Sequence, residues 1–340
     1  MYCAAELTAP GKIRLRRFRR PRPGPNQVLL RVERAGVCGT DVAIFTGTLK
    51  VQLPLVPGHE FCSRVEAVGE GVAEDFIGRL VAVEINNTCL AWRRPHPCVA
   101  CRRGLSNHCV DHTVVGIHRW PGAFAELLLV PSGGVHVLPE SLSPVQGVFV
   151  EPLAAAIQTF ELTPLGPFST VVVLGAGRLG TLIIAVAHHL GARVIAVART
   201  PERQQRAQRY GAALALAPSP DLASTIKSLT AGLGADVVVE ATGTSDGLQT
   251  ALTLVRPRGT VALKTTCGTL SPQVDTTRVA VDEVRLQGSR CGPFPKAIAL
   301  LASGHLDVEP LISEVLPLAK VSQALATAHQ VSKNLIDPTR

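Results

Sequence analysis

Aromatic residues are scarce in this 340-residue chain: nine Phe, two Trp and two Tyr make up 4% of it, with a single Met. Few large rings are on hand to shape a small-molecule pocket, and Trp92 and Trp120 are expected near the cysteine-rich stretch and the loop that follows it. Long apolar runs are also absent. None reaches the roughly 18 to 20 residues that a membrane helix needs, and Met1-Tyr2-Cys3 opens nothing like a secretory signal. A cytoplasmic protein without a membrane partner is expected. Acidic residues are outnumbered, 26 against 34 Lys and Arg, which leaves a net charge of +8. Seven basic residues crowd into Lys12 to Arg22. Ile13 and Leu15 alternate there, with Phe18 following, so the stretch reads as an edge strand with a solvated basic face. Blocky charge guards such an edge against pairing, and nucleic-acid binding and a transit peptide are set aside. A basic chain weakly suits a phosphorylated, anionic cofactor.

What is present begins with length enough for two domains. The stretch Ser169 to His189 organises the second. Val171 to Leu174 form a short continuous apolar run, as in a parallel strand covered on both faces. Gly175, Gly177 and Gly180 follow at the spacing of a dinucleotide-binding turn, one for the tight turn, one for backbone approach to pyrophosphate and one for helix-on-strand packing. Leu179 to Leu190 then reads as a helix whose amide end faces the phosphates. Strands and helices alternate onward from 193 to 264, the signature of a doubly wound parallel sheet.

Earlier in the chain, the strand Gln27 to Val37 delivers Cys38-Gly39-Thr40-Asp41. Pro57-Gly58-His59-Glu60 marks a tight turn that enters the strand Phe61 to Val68. Cys, His and Glu are ligand types that zinc accepts, and three protein ligands plus water keep a catalytic zinc open. Taken one at a time, Cys38 also reads as a small buried hydrophobe, His59 as a turn histidine and Glu60 as a solvated charge. Nine cysteines in a chain that opens without a leader argue for thiols and metal rather than disulfides. Cys89, Cys98, Cys101 and Cys109 crowd together, whereas Cys3, Cys38, Cys62, Cys267 and Cys291 stand apart.

The ordered set GVCGTD at 36 to 41, GHE at 58 to 60, the cysteine cluster, GAFAEL at 122 to 127, EPLA at 151 to 154, GAGRLG at 175 to 180 and VVVEATG at 237 to 243 resembles the zinc-containing medium-chain dehydrogenase/reductase family. The likeness is to its polyol, glucose and threonine dehydrogenase-like branch. It implies an α/β fold: a GroES-like β-rich catalytic domain (1–145, with a zinc lobe at 89–109), a Rossmann domain (146–285) and a return to the catalytic domain (286–340). It also implies a catalytic zinc on Cys38, His59 and a carboxylate, Glu60 or Glu151, with the active site in the cleft between domains. Asp41 corresponds to the carboxylate that orients the zinc-bound His. Thr40 matches the hydroxyl that takes the substrate proton. Many relatives pass that proton to a His where this chain has Ala43, so cofactor ribose and water would carry it away.

Cys98, Cys101 and Cys109 fit the family's structural zinc lobe, but Pro95 stands where its first Cys is usual. Cys89, before a LAWRRPHP loop that looks like an insertion, could fold back to complete four thiolates. Free thiols in a degenerate lobe, or His96 or His108 as a substitute ligand, are the alternatives. Pro139 to Pro144 looks like a domain junction, and Glu151 leads an apolar helix, Pro152 to Leu162.

Cofactor choice rests on Arg193 to Arg203. NAD enzymes carry an acidic residue about twenty positions past the glycines, whereas NADP enzymes need room and an Arg. Ala198 occupies that place and Arg199 follows, which favours NADP over NAD. Arg203 is a second phosphate candidate, and Glu202 reads as a first-turn residue that favours the helix dipole. Arg178, Leu179 and Thr200 complete the cofactor set near the turn and second strand. Ala241 and Thr242 fall on the adenosine side, and Leu263 and Lys264 near the nicotinamide amide. Arg290 could face cofactor or substrate or make a salt bridge. The tail from Pro317 is expected to supply a closing helix and little else. The reading is a zinc-dependent dehydrogenase moving hydride between an alcohol, polyol or sugar hydroxyl and NADP(H), as a dimer or tetramer. Its rivals are the same enzyme working as an aldehyde or ketone reductase, and a non-catalytic nucleotide-binding scaffold.

Overall fold

A computed structural model describes residues 1–266 and 274–340, so Cys267 lies outside the described residues. The chain divides into two compact units, Met1–Glu151 with Phe294–Arg340, and Pro152–Pro293. The crossings fall later than the junctions expected at 145 and 285.

The first unit is built on a seven-stranded sheet. Its centre is β1 (Gln27–Gly36), paired antiparallel to β2 (Glu60–Val68) on one side. On the other side, β1 pairs with Leu127–Pro131 along its first half and with the C-terminal strand Asn334–Asp337 at its end. Val28, Leu30 and Val32 of β1 are fully buried, as their alternation demands. The tail therefore does more than the closing helix expected of it. It contributes Asn334–Asp337, paired in parallel with Glu314–Pro317, which leads into the tail, beside the short helix Val321–Ala326. A four-residue strand carries too little periodicity to be seen in sequence.

The basic run is the edge strand Lys12–Phe18, paired only with Tyr2–Ala9 in a two-stranded sheet. Part of its charge is answered within the chain. Arg14 and Arg16 both reach the buried Glu6, and Arg20 pairs with Glu66. Among the described residues no helix is long and apolar enough to cross a membrane.

The second unit begins inside α2 (Val150–Leu162), which starts ahead of Glu151, so that residue lies in the helix's first turn. Its six-stranded sheet is parallel throughout. The order is Leu214–Leu216, β4 (Arg193–Val197), β3 (Thr170–Leu174), β5 (Ala235–Glu240), Val255–Leu263 and Arg285–Gly288. That is the 3-2-1-4-5-6 order of a dinucleotide-binding sheet, with its switch point between β3 and β5. The sixth strand, RLQG, is largely exposed and lacks the apolar run that would have announced it.

After β3 the chain turns through Gly175 into α3 (Arg178–His189). A Cβ on Gly180 would sit 1.8 Å from the Gly175 carbonyl oxygen, so only glycine lets α3 seat this close to the turn. Gly180→Ala must push the helix outward. A loss of about 1–3 kcal/mol is expected, as for other overpacked sites, read as a lowered thermal midpoint; an unchanged midpoint would show that the turn yields freely.

Candidate metal centre and dinucleotide site

The loop after β1 opens α1 (Gly39–Thr46), with Cys38 at the N-cap and Asp41 in the first turn. Asp41 is fully buried, and three donors surround it. Cys38 N donates to its Oδ2 at 2.9 Å, Gly58 N to its Oδ1 at 3.1 Å, and His59 Nδ1 lies 3.2 Å from Oδ1. One carboxylate thus joins the loop after β1 to the turn before β2. With Nδ1 committed to Asp41, the other ring nitrogen is left for a metal, the arrangement that fixes a ligand histidine's tautomer. Burial alone would lower the pKa of His59, but Asp41 and Cys38, by charge and hydrogen bond, outweigh it and hold it well above the usual histidine value.

Donor atoms of Cys38, His59 and Glu60 all lie within 4.8 Å of one another. A thiolate, an imidazole and a carboxylate at that spacing fit zinc with one position left open. Thr40 is half-buried beside them, its Oγ1 3.8 Å from Cys38 Sγ. Glu151 is half-buried in the first turn of α2 and is not among the three clustered donors. A residue that sequence reasoning missed touches the cluster: Lys333 Nζ donates to Glu60 Oε2, and both side chains are buried.

The four-cysteine lobe closes despite its altered spacing. Cys89, Cys98, Cys101 and Cys109 bring their sulfurs within 4.8 Å of one another. The Cys89–Cys109 and Cys98–Cys109 sulfur separations are 3.5 and 3.8 Å, close to the edge of about 3.8 Å implied by a zinc tetrahedron with 2.3 Å bonds. The inserted loop turns back so that Arg94 Nη1 lies 3.9 Å from Cys89 Sγ and pairs with Asp111. Trp92 meets Trp120 edge to face at 5.7 Å, beside the lobe as expected. His96 and His108 stay outside the cluster.

At the carboxyl ends of the parallel strands, Ala241 N donates to Leu174 O, and Gly175 N to Val197 O, both at 2.9 Å. The glycine turn, Ala241-Thr242 and Ala198-Arg199 therefore share one edge of the sheet. Arg199 and Thr200 are exposed there, and α4 (Pro201–Arg209) follows. Thr200 caps α4, and hydrogen bonds at that end, to its own backbone first and then to Thr200, hold the Glu202 carboxyl below its usual range, consistent with a first-turn role. Arg206, not foreseen, donates to Ala176 O at 2.9 Å. Burial first, then the Arg203 and Arg178 charges, lower its pKa. The Arg206 guanidinium thus lies on the glycine turn, near enough to Arg203 and Arg178 to feel both charges.

Glu240 is the third missed residue. Buried at the end of β5, it accepts from Thr242 N and Thr265 Oγ1, both at 2.7 Å, and from the Thr242 hydroxyl. It clamps the ends of two neighbouring strands. Lys264 Nζ donates to Ser289 Oγ and Arg290 O, tying the fifth strand's end to the loop after the sixth.

A dinucleotide-binding unit and a Cys–His–Glu metal cluster in one chain define a metal-dependent nicotinamide oxidoreductase. The sequence comparisons agree. Residues 24–140 match the alcohol dehydrogenase GroES-like domain, and residues 179–303 match the zinc-binding dehydrogenase family. The chain is 33% identical to the 2-dehydro-3-deoxy-L-galactonate 5-dehydrogenase of Pseudoalteromonas atlantica over 309 residues, 89% of this chain and 88% of that protein. A solved structure described as a zinc-binding dehydrogenase from Sinorhizobium meliloti, bound to NADP, superposes with a TM-score of 0.88 at 30% identity, covering 99% of each chain. An alcohol dehydrogenase from Escherichia coli complexed with NADH superposes with a TM-score of 0.90 at 28% identity, again over 99% of each chain. The chain belongs to the zinc-containing, alcohol dehydrogenase-like medium-chain dehydrogenase/reductase family. It is an oxidoreductase of the alcohol and polyol dehydrogenase class, dependent on zinc and a nicotinamide dinucleotide.

In the lobe, burial pushes the Cys101 thiol up to about 12 and also raises Cys109, whereas backbone hydrogen bonds from Cys101 and Val110 bring Cys98 down to about 6. Zinc must displace the protons that Cys101 and Cys109 hold. Lobe affinity is therefore expected to fall as pH drops from about 8 to 6, with at least two protons released per zinc bound. Calorimetric titration in buffers of different ionisation enthalpy measures that number; zinc uptake without proton release would mean the thiols are already ionised.

Proposed function

We propose that the chain is an NADP(H)-linked dehydrogenase of polyhydroxylated alcohols, sugars or sugar acids. The observation that carries the reading is the cluster of Cys38, His59 and Glu60 mounted on the buried Asp41. Those three side chains would hold the catalytic zinc, and Glu151, in the first turn of α2, is the further carboxylate proposed for the same site. Zinc supplies a Lewis acid that lowers the pKa of a coordinated hydroxyl, and the nicotinamide supplies the hydride chemistry.

The chain's own groups supply the rest. Asp41 fixes the tautomer of His59 and the approach of Cys38. The Thr40 hydroxyl, next to Cys38, takes the substrate proton. Ala43 offers no imidazole to pass it on, so no side chain at that position extends the relay. Carboxylate in the ligand set and the similarity to a sugar-acid dehydrogenase support a polyhydroxylated substrate. Cys89, Cys98, Cys101 and Cys109 would hold a structural zinc. None of the eight cysteines among the described residues is in a disulfide, which suits a reducing compartment, the cytoplasm. Assembly as a dimer or tetramer completes the proposal.

NADP is favoured because no carboxylate follows β4 where the ribose hydroxyls would need one, because Arg199 stands there instead, and because the Arg203 and Arg178 charges both act on Arg206 beside the glycine turn. Charge-assisted hydrogen bonds to a phosphate are worth about 1.5–3 kcal/mol each. Arg199→Asp is accordingly expected to lower kcat/KM for NADPH by about tenfold to a hundredfold and to raise that for NADH. Initial rates with both cofactors over a panel of polyols, sugars and sugar acids measure the ratio. An unchanged ratio would remove Arg199 from the phosphate site, and NADH preference in the unsubstituted chain would overturn the NADP reading.

A further inference from the structure

The basic strand Lys12–Phe18 belongs to neither donor cluster, and one of its edges is open. Tyr2–Ala9 pairs with it on one side and is itself bridged to the body of the unit, Ala4 to Ala125 and Leu7 to Leu55. Among the described residues no strand pairs with the other side. An open edge presents a row of unanswered backbone N–H and C=O groups to any extended chain that can approach it.

Charge decides which chain that is. Residues 12–22 carry seven cations. Two carboxylates answer three of them, Glu6 taking Arg14 and Arg16 and Glu66 taking Arg20. Lys12, Arg17, Arg19 and Arg22 are exposed and make no ion pair among the described residues. The same strand from a second copy would set like charge against like and is repelled. A nucleic acid or a lipid surface answers the charge but not the backbone donors and acceptors. An acidic polypeptide in extended form answers both.

Register narrows the occupant further. Arg14 and Arg16 stand opposite Glu6 and Ala4, so with Lys12 they line one face of the strand pair. Ile13 and Leu15 stand opposite Leu7 and Ala5 on the other face. Leu7 and Ala5 are buried, yet Leu15 is 48% exposed. A strand laid along this edge meets cations on one face and apolar side chains on the other.

We propose that the outer edge of Lys12–Phe18 is a docking site for an extended segment of another protein in which acidic and apolar residues alternate. The segment completes a third strand by main-chain hydrogen bonds, and its side chains supply specificity. Its carboxylates meet Lys12, Arg14 and Arg16, and its apolar residues cover Ile13 and Leu15. Arg17, Arg19 and Arg22 add to the field that draws it in.

Fluorescence anisotropy of a labelled seven-residue peptide alternating glutamate and valine, the length of the strand itself, tests this on the intact chain. Saturable binding is expected. Lys12→Glu combined with Arg17→Glu should weaken it by about tenfold or more, because like charges then face each other. The same peptide N-methylated at every backbone nitrogen keeps its charge but cannot complete a strand, and it too should bind about tenfold more weakly or worse. Amide hydrogen exchange reads the site without any substitution: bound peptide should slow exchange within Lys12–Phe18. Absence of binding, binding indifferent to the double substitution or to N-methylation, or unchanged exchange in that strand overturns the proposal. Tighter binding of a single-stranded oligonucleotide or of phosphatidylserine vesicles overturns it in favour of a polyanion site, and a dimer that the double substitution dissolves overturns it in favour of a second copy.

Discussion

Asp41 is a carboxylate fully withdrawn from solvent, and the first unit's chemistry depends on how that charge is satisfied. A buried carboxylate without partners is costly. Here Cys38 N, Gly58 N and His59 Nδ1 surround it, so the two loops at one end of the β1–β2 pair must stay in register for all of them to be made. Their geometry is what brings a thiol, an imidazole and the Glu60 carboxylate to a common point. Loss of the Asp41 charge would free the histidine ring to turn and would leave a backbone amide of each loop unanswered.

The second unit poses the converse problem, a surplus of positive charge. Arg178, Arg203 and Arg206 sit close enough to depress the Arg206 pKa, and the Arg206 guanidinium leans on a carbonyl of the glycine turn. Mutual repulsion of this kind is relieved by a bound anion. The α3 N-terminus, by its helix dipole, favours an anion at the same edge of the sheet. Glu240 balances the opposite side of the crevice by pinning Thr242 and Thr265. Charge and hydrogen bonding therefore point to the same place as topology.

Much of this was legible in the sequence because the signals are local. The apolar run at Val171–Leu174 and the glycine spacing after it place the first parallel strand and its helix with only slight shifts at the ends. Gly58-His59-Glu60 reads as a turn feeding a strand, and it does so, whereas the short helix that opens at Gly39 was not signalled. The cysteine lobe closes because Cys89 folds back across an insertion whose length sequence could count but whose path it could not trace. Three features left no local trace. Lys333 is a single lysine in a tail of weak periodicity, made significant by a strand pairing across nearly the whole chain. Arg206 is one polar residue among many on an exposed helix, and Glu240 ends an otherwise apolar strand. Long-range pairing decides each of them, and neither spacing nor composition reports it.

The central claim is that two separate clusters in one chain each hold zinc, with the Cys38–His59–Glu60 group as the reactive one. Elemental analysis of purified, tag-free protein beside its Cys38→Ser and Cys101→Ser variants tests it most directly. The account predicts two zincs per chain in the parent, one in each variant, and turnover lost in Cys38→Ser while NADPH still binds. A parent chain that holds no zinc after refolding with the metal, or a Cys38→Ser variant that keeps both metal and turnover, would contradict it.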